Sequence, residues 1–107
     1  MYSYDYSDKL KKIIEKLLKK DKQLYEQLLK KINEVINSYS VESYKNLRYN
    51  LKNYKRVHVG HFVLIFLFDK SKNKISFEDF DHHDKIYRWF KLYIKIIYYY
   101  LFFMKID

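Results

Sequence analysis

Apolar residues recur along this chain in two different rhythms. Tyr2, Tyr4 and Tyr6 alternate with Ser3 and Asp5, the period-two pattern of a short strand. Leu10, Ile13, Ile14, Leu17 and Leu18 then return every three or four residues, with Lys9, Lys11, Lys12, Lys16, Lys19 and Lys20 between them. That spacing predicts an amphipathic helix, with Ser7 placed to cap it. Asp21 interrupts the pattern and can cap a second helix, whose stripe is Leu24, Leu28, Leu29, Ile32, Val35 and Ile36. Two amphipathic helices joined by so little chain predict an antiparallel hairpin, with the lysines as its solvated face.

From Ser38 to Asn53 the period fades and Ser, Asn, Lys and Tyr dominate, which reads as a connecting loop. Tyr54 to Gly60 is a strand with Val57 and Val59 on one face and Arg56 and His58 on the other. Gly60, the one glycine of the chain, closes it in a backbone shape other residues resist. His61 to Phe68 is almost wholly apolar and predicts a central strand covered on both faces. After a polar turn, Asp69 to Asn73, the segment Lys74 to Phe80 alternates Ile75, Phe77 and Asp79 against Ser76, Glu78 and Phe80. Asp81 to Lys85 is short and polar. From Tyr87 the chain suits a helix, although Tyr98 to Phe103 fits a strand as well. The expected class is α+β: an N-terminal strand and two-helix hairpin packed on a small antiparallel sheet, then a C-terminal helix or strand.

A length of 107 residues fits one domain, 1–107, with an apolar tail from about residue 90. The longest apolar run, Leu92 to Met104, contains Lys95 and falls short of the roughly 20 residues a membrane span requires. A buried or partner-covered segment is expected instead, with the domain's own helices as the first cover and a partner's helix or a second copy next. The 13 Tyr and 8 Phe imply an aromatic core with many hydroxyls at its edge. The chain has no Cys, which excludes disulfides, thiolate metal sites and thiol catalysis. Its first residues, Met1 to Asp5, have no basic start and no apolar run, so a cytoplasmic protein is expected.

The formal net charge is +9, from 19 Lys and 3 Arg against 13 acids. Ala and Thr are absent, a profile that AT-rich coding also produces, so the distribution of charge says more than its sum. Residues 45–61 hold Lys45, Arg48, Lys52, Lys55, Arg56, His58 and His61 with no acid. A one-sign surface of this sort attracts polyanions; a solvated loop and strand face would read the same. Phosphate-loop, Gly-x-Ser-x-Gly and His-Glu-x-x-His motifs are missing from the sequence. His82 and His83, flanked by Asp81 and Asp84, suggest a cation site. Neighbours on a strand face opposite sides, however, so neither metal nor cofactor is expected.

Three stretches in order resemble the RelE/ParE toxin family. They are Asn46-Leu47-Arg48, then Tyr54-Lys55-Arg56-Val57-His58-Val59-Gly60-His61-Phe62-Val63-Leu64-Ile65-Phe66, then Phe80-Asp81-His82-His83-Asp84-Lys85-Ile86-Tyr87-Arg88. The opening Tyr2 to Lys12 is similar to the family's first strand and helix start. The resemblance runs from residue 2 to about 90 with element order intact. It implies a toxin held silent by a cognate antitoxin, with room for a toxin–antitoxin heterotetramer. The RelE branch cleaves ribosome-bound mRNA, and the ParE branch poisons gyrase. Arg56, His58, His83 and Tyr87 fall where nuclease members place their catalytic groups. Lys45, Arg48, Lys52, Lys55, His61, His82 and Arg88 are the expected RNA contacts. Two positions depart from the pattern: Val63 and His83 stand where arginines are usual. The proposed chemistry is attack of an RNA 2′-hydroxyl on the adjacent phosphate. The alternatives are a non-catalytic poison of gyrase or the ribosome, favoured by Val63, and an inactive remnant acting only through antitoxin binding.

Overall fold

The computed structural model describes residues 2–46 and 54–104, apart from the side chains of 89 and 90. Arg48 and Lys52 lie outside the described residues. The chain forms β1 (Ser3–Tyr6), α1 (Asp8–Lys20), α2 (Lys22–Ile36), a single 3-10 turn at Val41–Ser43, β2 (Tyr54–Val59), β3 (Phe62–Asp69), β4 (Lys74–His82) and α3 (His83–Met104). The four strands make one sheet in the order β1-β4-β3-β2.

Both expected caps are in place. Ser7 Oγ accepts the Leu10 N–H at 3.0 Å and donates to the Glu78 carbonyl at 2.6 Å, tying the start of α1 to β4. Asp21 Oδ1 accepts the Leu24 N–H at 3.2 Å, and Asp21 alone separates the two helices. The buried stripe Leu10, Leu28, Ile32, Val35 and Ile36 packs on Val59, Leu64, Phe66, Ile75, Phe77 and Phe80 from one face of the sheet. The opposite face carries a smaller cluster, Val63, Ile65 and Ile86, with Tyr54 and Tyr87 packed against it. β3 supplies buried residues to both, which explains its unbroken apolar run.

Four details differ from the sequence expectation. β2, β3 and β4 pair antiparallel, but β1 joins the far edge parallel to β4, Ser3 opposite Lys74 through Tyr6 opposite Phe77. The simple alternation of β4 breaks at a bulge. Ile65 pairs with Asp79 and Phe66 with Phe77, so Glu78 is the extra residue. A bulge resets which face later residues occupy, and Phe77 and Phe80 therefore both reach the main core. The polar segment Asp81 to Lys85 is not a loop, since β4 runs to His82 and α3 begins at His83. Finally, the tail is helical, and Ile96 to Met104 are exposed rather than packed on the protein's own helices. Among the described residues, α3 joins the buried cluster over the sheet through Ile86, with Tyr87 packed against it, both in its first turns.

Candidate active site

Strand and helix periodicity assemble the site. Arg56 and His58 are two apart on β2 and so share its α3-side face, level with Ile65 and Val63 of β3. His83 and Tyr87 are four apart at the start of α3 and share one helix face. The hairpin between β2 and β3 turns on Gly60, whose φ of +60° is a left-handed conformation that suits glycine. The next residue, His61, accepts the His83 N–H on its carbonyl at 2.8 Å. This bond pins the start of α3 beside the end of β2.

The four predicted groups meet there. Arg56 Nη1 lies 3.1 Å from His58 Nε2. The His58 and His83 rings stack with centroids 5.6 Å apart, and His83 lies 4.5 Å from the Tyr87 ring. The Arg56 guanidinium sits 6.0 Å from the Tyr87 centroid, closing the ring of contacts with a cation–π approach. Arg56 Nε is buried and has no hydrogen-bond partner among the described residues. Partial burial, with help from the Arg56 charge, His83 and Lys45, holds the His58 pKa below its ordinary 6.5. At neutral pH His58 is largely an uncharged imidazole, whose Nε2 lone pair accepts the Arg56 Nη1 N–H in this structure.

Other predicted contacts separate into groups. Lys45 is exposed and near enough to depress His58. His61 and His82 stack on each other at 6.2 Å, and His82 also meets Phe62 edge-on. Phe62 belongs to the main core side, so His82 lies across the sheet from the four-residue cluster. Arg88 is exposed on α3. Lys55 corrects the sequence reading. It is buried, and its Nζ donates to the carbonyls of Glu42 and Tyr44 and to Asn46 Oδ1, each at 3.1 Å. An ammonium with three internal acceptors closes the chain segment before β2 and is not presented to RNA. Alternation carried this signal already, because Lys55 shares parity with Val57 and Val59.

Val63 is fully buried beneath α3 in the Val63, Ile65 and Ile86 cluster. On the far side of this apolar strip, Asp79 and Asp81 pair with Ile65 and Val63. With Glu78, Lys9, Lys85, Tyr54 and Ile86 they line a cavity of about 360 Å³. Lys9 answers Asp79 at 2.9 Å, while burial and the nearby Asp5 and Asp79 raise the Glu78 pKa. The sheet face is thus divided, basic and imidazole-bearing over β2, acidic over β4. Sequence reasoning passed over this acid row, because β4 was read for its apolar residues.

The comparisons with known proteins fit this geometry. No family model matches the chain. It is 43% identical over 94 residues to a Methanocaldococcus jannaschii protein named "Putative toxin RelE4", covering 87% of this chain and 98% of that one. The chain belongs to the RelE toxin family. Among solved structures, the intact E. coli RelBE toxin–antitoxin complex superposes with a TM-score of 0.63 at 23% identity, covering 77% of this chain and 96% of that one. A heterotetrameric YoeB-YefM complex from Staphylococcus aureus gives 0.62 at 16%, covering 78% and 98%. At these identities the likeness speaks for the fold. This RelE-family chain keeps the strand and helix order of the fold.

Proposed function

We propose that this chain is the toxin of a toxin–antitoxin pair and halts translation by cutting ribosome-bound mRNA in the cytoplasm, at Arg56, His58, His83 and Tyr87. The observation that carries the reading is the convergence of these four side chains, from β2 and α3, around a guanidinium whose buried Nε is unpaired. A buried N–H without an acceptor costs about 1–3 kcal/mol. A phosphate oxygen seated there would offset that cost and accept a charge-assisted bond. The α3 N-terminus points its partial positive charge toward the same spot.

In the proposed reaction, Arg56 turns from His58 Nε2 to the phosphate, and the neutral imidazole so released takes the proton from the 2′-hydroxyl. The 2′-oxygen attacks phosphorus, and Arg56 holds the charge that grows on the non-bridging oxygens. The bond to the 5′-oxygen breaks, and His83 supplies the proton that this oxygen needs. The products are a 2′,3′-cyclic phosphate and a free 5′-hydroxyl. Tyr87 offers an aromatic platform for a neighbouring base. Lys45 and Arg88 add positive charge along the RNA path, with His61 and His82 at the same end of the sheet. The acid row over β4 repels phosphates and keeps the backbone on the β2 side. A cognate antitoxin is the expected partner, in line with the complexes of its structural neighbours.

The test is primer-extension mapping of transcripts after induced expression. New 5′ ends within translated codons are expected, and they disappear in Arg56→Ala. Arrest of translation with no new ends would sink the nuclease reading. It would favour a non-catalytic poison instead, the reading to which the buried Val63 lends weight.

A further inference from the structure

The outer half of α3 is unlike the rest of the surface. From Ile96 to Met104 no residue carries a charge. All nine are exposed, from 38% at Ile97 to 74% at Tyr98. Successive helix positions are about 100° apart, so Tyr98, Tyr99, Tyr100 and Leu101 point in four directions. The helix is apolar all the way round, and helices of that kind are normally covered. Its five rings leave on the order of 600 Å² exposed, taking the usual area of an aromatic side chain. The Ile, Leu and Met side chains add to this, spread round the whole helix, so a single facing helix covers one side of it and buries part of the total. Isolated monomers rarely show so large a contiguous apolar patch.

We propose that this segment is a homodimer interface in which α3 of one copy packs on α3 of a second through Ile96–Met104. Three observations select a second copy. An acidic partner finds no cation to pair with along these nine residues, since Lys91 and Lys95 lie at the root of the segment. A membrane surface needs a helix with a polar face opposite its apolar one, which this stretch lacks. No described helix is long and apolar enough to cross a bilayer. An uncharged apolar stripe is best met by another uncharged apolar stripe, and a two-fold places the same patch on both subunits. Tyr99 and Phe103 already stack one helical turn apart, centroids 6.2 Å, forming a ridge for the facing helix. The pairing lies beyond the cleavage site and does not depend on it. Because His83 and Tyr87 sit on the same helix, it would fix two sites on one rigid pair.

The chain lacks cysteine, so single cysteines report the contact directly. Full-length chains bearing one Cys at each position from Ile96 to Met104 are oxidised. Sedimentation is measured in parallel across roughly 1–100 µM. Disulfide-linked dimer is expected at positions spaced three or four apart, and not at Lys30→Cys on α2. Phe102→Lys with Phe103→Lys should convert the dimer to monomer with unchanged far-UV circular dichroism. A wild-type chain that stays monomeric throughout overturns the proposal. So does a dimer that survives both lysines, or a monomer whose tail is protected only by added anionic vesicles or by an antitoxin.

Discussion

The two faces of the sheet are built for different ends. On one, α1 and α2 lay a stripe of buried side chains over Val59, Leu64, Phe66, Ile75, Phe77 and Phe80. On the other, the cover is three buried residues and two half-buried tyrosines, and the rest is arginine, imidazole and carboxylate. β3 belongs to both and turns alternate residues to each. The contrast teaches that stability and chemistry are separated by strand parity. A substitution on β2 or β3 should act on one or the other according to whether its number is even or odd.

The largest effect tests the thick face. Phe66→Ala removes a fully buried ring from the main core and should cost about 3–5 kcal/mol, read as a lower denaturant midpoint. Arg56→Ala, one strand away on the thin face, should leave the midpoint nearly unmoved. It should instead slow cleavage by roughly 10²–10³. Equal losses of stability in both variants would break the comparison. Lys55 sharpens it, since this charged residue is assigned to the thick face. Lys55→Met leaves three acceptors without their donor and should cost about 1–3 kcal/mol. The salt dependence of RNA binding should stay the same, whereas a flatter salt slope would return Lys55 to the RNA surface. Ser7→Ala loses the α1 cap and the bond to Glu78. A drop of about 1 kcal/mol in unfolding free energy is expected, with no change in cleavage.

The smallest effect is in pH. The His58 pKa lies below 6.5, so the neutral base persists as pH falls through 6.5. The acidic limb of the cleavage profile should therefore have its midpoint below that value, and His58→Gln should abolish the limb. In the window between the depressed pKa and 6.5 the unfolded chain takes up the proton first. The contribution of this histidine to stability therefore declines as pH falls there. A limb centred at or above 6.5 would remove His58 from the role of base.

Much of this was legible from spacing. The caps at Ser7 and Asp21, both helix stripes and the doubly buried β3 follow from periods of 3.6 and 2, which are fixed by backbone geometry. Arg56 and His58 were placed on a common face by the same rule, whereas His83 and Tyr87 were named through the family resemblance, because the helix was expected to begin only at Tyr87. The bulge at Glu78, the inward turn of Lys55 and the acid row of Asp79 and Asp81 were not read. Each depends on which neighbour a strand pairs with.

The sequence by itself determined the elements from β1 to β4, their order and the family, because local periodicity and turn residues are written residue by residue; the apolar tail suited helix and strand alike. Only the tertiary structure decided that β1 joins parallel at the far edge of β4. The same holds for the meeting of β2 and α3 around a buried, unpaired Arg56 Nε, and for the outer half of α3 standing clear of the domain. Those outcomes rest on contacts between residues far apart in the chain, which burial and hydrogen-bond pairing select only when the whole core closes.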